Sequence, residues 1–234
     1  MEMTSSEARE FWRALVDNAA ALIADAHTME GVNSFGRARS LTVLAQEELG
    51  KALWVYDTFE RAWSSADDSP RPVDMLASHG RNHTMKYLET VLFGEGLSSF
   101  WGGVETSEDW QREGESWEEA AERRHATAEA AAREANQAKQ RGFYVDREGH
   151  GAIISPIHME AGTVPDDLRK AAQVVEMLLI QDHTRMKHDA VAPYDSTHLQ
   201  QLRLLPISHP EEWEAASDDF KRSGGASGLG PDEQ

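Results

Sequence analysis

The sequence predicts an all-α fold: a bundle of about five long helices with one small β-hairpin. Three observations point there. Apolar residues recur at helical spacing over long segments. Clusters of turn formers separate those segments. One short stretch only, GFYVDREGHGAIISP, shifts to β-branched and aromatic runs around a turn.

Residues 5–28 read as the first helix, with Phe11, Leu15, Ala19, Leu22 and Ala26 in phase and Ser5 or Ser6 as its cap. Gly31 and Asn33 punctuate. Residues 34–63 form the second and longest helix. SSADDSPRP breaks the chain, and Pro72 suits the first turn of a third helix running to about Phe93. FGEGLSSFWGGVETSED reads as a long glycine-bearing loop. A fourth helix over about 115–140 is rich in Ala, Glu and Arg. In the hairpin, Phe143–Val145 and Ala152–Ile154 flank REGHG. Pro165 and Asp166 start a fifth helix that reaches His188. The core is expected between the second, third, fourth and fifth helices. Residues 1–222 read as one domain and 223–234 as a disordered acidic, glycine-rich tail.

A chain of 234 residues can bury one good-sized core, or at most two small ones. No apolar run approaches the roughly 20 residues of a membrane span. The polar, acidic N-terminus lacks the order of a signal peptide. Cysteine is absent, which excludes thiolate metal sites and thiol nucleophiles. A cytoplasmic protein is the simplest expectation. The formal charge of −18 repels nucleic acid and anionic membranes at long range, yet leaves room for a small basic pocket.

The second helix carries LAQEELGKAL. At about 100° per residue, Leu41, Ala45, Ala52, Tyr56 and Phe59 share one face. Glu48 falls in its middle, while Glu47 and Lys51 point away. A buried carboxylate must be paired, hydrogen-bonded, metal-bound or protonated. On the third helix, SHGRNHTMK places His79, His83 and Lys86 beside the apolar face, His79 and His83 one turn apart. Proton-transfer groups beside a fixed positive charge suit acid–base chemistry at a phosphate, and equally a solvated polar face. Arg141 sits at the exit of the fourth helix. It can pair with Glu48, offer its fork to a phosphate, or lock down the hairpin. Tyr144 and Asp146 share one face of the first hairpin strand. Glu122 and His125 form the single Glu-x-x-His of the chain. Di-metal bundles use two such motifs, so a metal site built from Glu48, His83, Glu122, His125 and Asp182 is an incomplete alternative. Phosphate-binding loops, dinucleotide fingerprints and nucleophile elbows are missing.

The ordered set Ala45, Glu47, Glu48, Leu49, Gly50, Lys51; His83, Lys86; and Lys139, Arg141, Gly142, Tyr144, Val145, Asp146 resembles the AbiV abortive-infection family of HEPN helical bundles. The resemblance spans roughly residues 10–190. It implies bacterial phage defence. Many HEPN proteins are metal-independent ribonucleases that act as homodimers with the active site at the dimer interface, and this reading needs no cofactor. Their usual signature is an Arg followed about five residues later by a His. Arg81 and His83 are closer than that, as are Arg185 and His188. On this resemblance His83 is the expected acid or base, Lys86 and Arg141 stabilise phosphate charge, and Glu48 orients a cation. Lys51, His79, Tyr144 and Asp146 are the expected substrate contacts. The expected partners are RNA, a second copy, or a phage or host protein, with no membrane. A non-catalytic bundle that binds a protein through Phe100, Trp101 and Trp110 is the second alternative.

Overall fold

A computed structural model describes residues 2–101, 111–189, 191 and 194–222. The first helix, α1 (Ser5–Gly31), starts one residue earlier than its serines suggested. Thr4 is the cap: its hydroxyl accepts the Glu7 N–H at 3.2 Å, and the Glu7 carboxylate accepts the Thr4 N–H at 2.8 Å. Two orphan amides are thus satisfied reciprocally. A turn with Asn33 at φ 58° leads into α2 (Phe35–Ser65), which Ala66 ends in the left-handed region.

α1 packs along α2 and belongs fully to the core, against the expectation that the core lies among the later helices. Trp12, Val16 and Ile23 of α1 and Leu49, Val55 and Phe59 of α2 are wholly buried. Trp12, Tyr56 and Trp63 form an aromatic knot with ring centres 5.8–5.9 Å apart. The Trp63 indole donates to the Ser5 carbonyl at 2.9 Å, satisfying its polar end.

The third predicted helix is two. α3 (Asp74–His79) and α4 (His83–Gly94) are separated at Gly80–Asn82, and Asn82 caps α4 by accepting the Met85 N–H. Pro72 does not open a helix. It lies in a two-residue strand, Arg71–Pro72, paired antiparallel with Glu2–Met3. Among the described residues, the glycine-bearing loop contains one helical turn, α5 (Leu97–Phe100). Its remainder, with Trp110, lies outside the described residues, as does the 223–234 tail.

Ser116 and Glu119 form a second capping box that starts α6 (Trp117–Phe143). This helix runs three residues further than predicted, so the hairpin begins later. Asp146 pairs with Ile154 and Arg147 with Ile153. Then come α7 (Val164–His188), α8 (Gln201–Ser208) and α9 (Pro210–Arg222).

The resulting all-α bundle is organised around α2, which meets α1 and α7 as well as α4 and α6. That arrangement gives α2 two buried faces rather than one. Among the described residues, no helix is long and apolar enough to cross a membrane.

Candidate functional site: a buried carboxylate under His83

The second buried face of α2 is formed by Gly36, Ser40, Val43, Glu47 and Gly50, spaced alternately four and three residues apart. It is a narrow face of small side chains interrupted by one acid. Two glycines let neighbouring helices close on it. A β-carbon on Gly50 would lie 2.0 Å from the Lys86 carbonyl oxygen of α4. One on Gly142 would lie 2.1 Å from the Gly36 carbonyl and the Ser40 hydroxyl. The Ser40 hydroxyl sits between two carbonyls, 2.8 Å from that of Lys139 and 3.0 Å from that of Gly36. Thr90 of α4 donates to the Gln46 carbonyl at 2.6 Å. These contacts bring α4 and α6 against α2 on either side of Glu47.

Glu47, not Glu48, is therefore the buried carboxylate, with its side chain 3% exposed. It collects three cationic or proton-bearing groups. Lys139 of α6 donates to Oε1. His83 of α4 lies with Nδ1 2.6 Å from Oε2, and Lys86 Nζ is 3.3 Å from the same oxygen. Both lysine side chains are buried. The His83 side chain is 52% exposed. Burial pushes the Glu47 carboxyl up. The hydrogen bonds from His83 and Lys139 and the charges of Lys139 and Lys86 outweigh that, and hold it below its ordinary value.

An ionised carboxylate only accepts, so His83 donates its Nδ1 proton to Glu47. The neutral ring then carries its lone pair on Nε2, on a half-exposed side chain. This is a carboxylate-oriented histidine. The acid fixes the tautomer and ring orientation. Lys86 and Lys139 keep Glu47 charged in a site that would otherwise favour its neutral form. Neither lysine offers its ammonium to solvent, so neither reaches a substrate phosphate in this arrangement.

Glu48 is displaced from the place the helical wheel gave it. It is partly exposed and pairs with Lys51 at 2.7 Å, one turn along α2. The wheel went wrong because it allowed α2 one buried face, whereas α2 has two and Glu48 lies at the border between them. Arg141 does not meet Glu48. It is exposed, two residues beyond Lys139. His79 is half-buried on α3, across the helix break from His83, so the two do not form a one-turn pair. Tyr144 and Asp146 are exposed, and Tyr144 caps α6 rather than lying in the strand. Of the predicted site residues, the structure joins His83 and Lys86 through Glu47. It leaves Arg141, His79, Tyr144 and Asp146 without a contact to that carboxylate.

The metal alternative finds no common centre. His125 pairs with Glu129 at the surface, Glu122 is exposed, and Asp182 is taken up by Arg9 and Arg185 at 2.7 and 2.8 Å. Among the described residues, no three His, Asp or Glu side chains are grouped where they could hold a metal ion.

Glu47 and Lys139 were missed as site residues, although both belong to the ordered set that carried the family resemblance. A further signal was present: Glu47–Gly50, His83–Lys86 and Lys139–Gly142 are each spaced i, i+3. Such spacing places each pair on one helix face. The family profile described as AbiV, of the HEPN type, matches residues 7–176 and so spans all four side chains of the cluster. No curated protein and no solved structure gives a match. With its profile match covering most of the chain and its bundle of helices around α2, the chain belongs to the AbiV family of HEPN proteins.

Proposed function

We propose that this protein acts in abortive infection, the phage-defence response the family is named for, and that it cleaves RNA without a metal ion as a homodimer. The observation that carries the reading is the half-exposed His83 held at Nδ1 by a buried, lysine-clamped Glu47. In such cleavage a ribose 2′-hydroxyl attacks the adjacent phosphorus as the bond to the 5′-oxygen breaks. A proton leaves the nucleophile and another reaches the leaving group. His83 Nε2 performs one of these transfers. A second copy of the chain brings the complementary group. Arg141, exposed just beyond Lys139, supplies the phosphate-facing cation in place of buried Lys86. The test is cleavage of a generic single-stranded RNA in EDTA. Wild type cuts, and His83→Ala loses about 10²–10⁴-fold in rate. Intact RNA with folded, dimeric wild type overturns the reading.

A second reading has its own observation. Tyr144, Val145, Ile153 and Ile157 are large apolar residues that are 68–71% exposed around the hairpin. A protein of charge −18 is poorly suited to broad RNA binding. On this reading the chain is a non-catalytic HEPN protein whose hairpin holds a phage or host protein. It predicts that Tyr144→Ser with Ile153→Ser abolishes the defence phenotype while His83→Ala retains it. The reverse pattern rejects it.

A further inference from the structure

A cavity of about 470 Å³ lies at the end of the bundle where α1 begins and α2 and α7 end. By helical rise it is about 24 Å along α2 from Glu47. Its size falls within the range of small-molecule sites. Ser5, Arg9, Arg13, Trp63, Arg185 and Val191 are among its lining residues.

Three guanidinium groups meet here in a chain of charge −18. Two are balanced. Arg9 lies over the ring faces of Trp12 and Trp63, at 4.5 and 5.1 Å, and binds Asp182 at 2.7 Å and Asp195 at 2.8 Å. Arg185 binds the other oxygen of Asp182 at 2.8 Å and lies 5.5 Å from the Trp63 ring centre. Buried Asp182 thus ties Arg9 and Arg185 together. The third makes no ion pair. Arg13 lines the same cavity one turn along α1 from Arg9, and no acid meets it among the described residues. Asp68, the remaining carboxylate of the lining, accepts the N–H and hydroxyl of Ser6 at 3.0 and 3.3 Å. The positive end of the 27-residue α1 points at this region and adds to its potential. Ala62, Ala66 and Val191 supply an apolar wall.

We propose that this cavity binds a small organic phosphate, with the phosphate held by Arg13 and Arg185 and its apolar body against Ala62, Ala66 and Val191. Guanidinium groups from two helices can grip different oxygens of one phosphate. The packed tryptophans and the shared Asp182 hold Arg185 in place before a ligand arrives. Arg13 is the one guanidinium of the lining that no acid binds among the described residues, so its donors are open to a phosphate. This site is independent of the Glu47 cluster and of whether the protein cleaves RNA.

The test is isothermal titration of the full chain with phenyl phosphate, with inorganic phosphate and phenol as separate probes. Phenyl phosphate binds at one equivalent with Kd below about 1 mM, and more tightly than either fragment. Arg13→Ala, a change at an exposed position, keeps the melting temperature and weakens phenyl phosphate binding at least about tenfold, the loss of one charge-assisted contact. His83→Ala binds as wild type does. No binding of phenyl phosphate at millimolar concentration overturns the proposal. So does equal binding by Arg13→Ala, or inorganic phosphate binding as tightly as phenyl phosphate.

Discussion

At the scale of the residue, one carboxylate carries most of the argument. Glu47 is stabilising only because three groups meet it, and removing its charge strands two buried ammonium groups. Glu47→Gln is therefore expected to cost about 3–5 kcal/mol of folding stability, the range for breaking a buried ion pair from one side. Glu48→Gln, at a partly exposed pair one residue away, should cost less than about 1 kcal/mol. Urea denaturation of the two variants measures both. The pH dependence follows with a definite sign. The Glu47 carboxyl is held below its ordinary value of 4.5 in the folded chain. Its contribution is fully present above that value and is lost as pH falls through the depressed folded value. Wild type should lose stability on acidification in that window. Glu47→Gln, less stable at neutral pH, should show a flatter acid limb in a series of melting curves.

At the scale of the element, backbone approach matters as much as side-chain chemistry. The wall of the α2–α4 contact is the Lys86 carbonyl, which cannot swing away as a flexible side chain can. Gly50→Ala must therefore push α4 from α2, and with it His83 and Lys86 from Glu47. A loss of at least about 1–3 kcal/mol is expected, the usual cost of overpacking. Gly31→Ala is the control, because a β-carbon there meets nothing within 4 Å and the residue ends α1. It should be neutral or gain up to about 1 kcal/mol. Thermal unfolding of the pair separates a steric requirement from helix propensity.

What was legible in the sequence also divides at this scale. The long helices and the hairpin followed from period and punctuation, because capping residues and apolar spacing act locally. The break before His83 was missed because the short α3 and α4 keep nearly continuous helical composition, and only Asn82 marks the new start. The strand pair Glu2–Met3 with Arg71–Pro72 joins segments far apart in the chain, which local propensity does not report. Glu47 was assigned to solvent because a single helical wheel assumes one core. Its burial depends on α4 and α6 covering a second side of α2. The small residues Gly36, Ser40 and Gly50 recorded that closeness, but a scale that reads hydrophobicity alone passes over them.

At the scale of the whole molecule, α2 is the axis along which two different sites are separated. Midway, buried Glu47 orients the half-exposed His83 of α4. At its far end, arginines stack on tryptophans around a cavity. Both belong to a chain of formal charge −18. Repulsion of nucleic acid at long range should make any RNA encounter slow at low salt, so added salt should raise the cleavage rate before screening weakens the local phosphate contacts. A rate measured across a salt series would show a rise and then a fall. A monotonic steep fall would instead indicate a large basic RNA-binding surface, against what a net charge of −18 favours.

The central claim is that Glu47, through His83, serves the chemistry of the site. The most direct measurement is the rate of RNA cleavage in EDTA by wild type, Glu47→Gln and Glu48→Gln, each at a temperature where circular dichroism shows it folded. The account predicts cleavage by wild type, a loss of at least about 10²-fold in Glu47→Gln, and near-wild-type cleavage by Glu48→Gln. Cleavage by folded Glu47→Gln at the wild-type rate would contradict it.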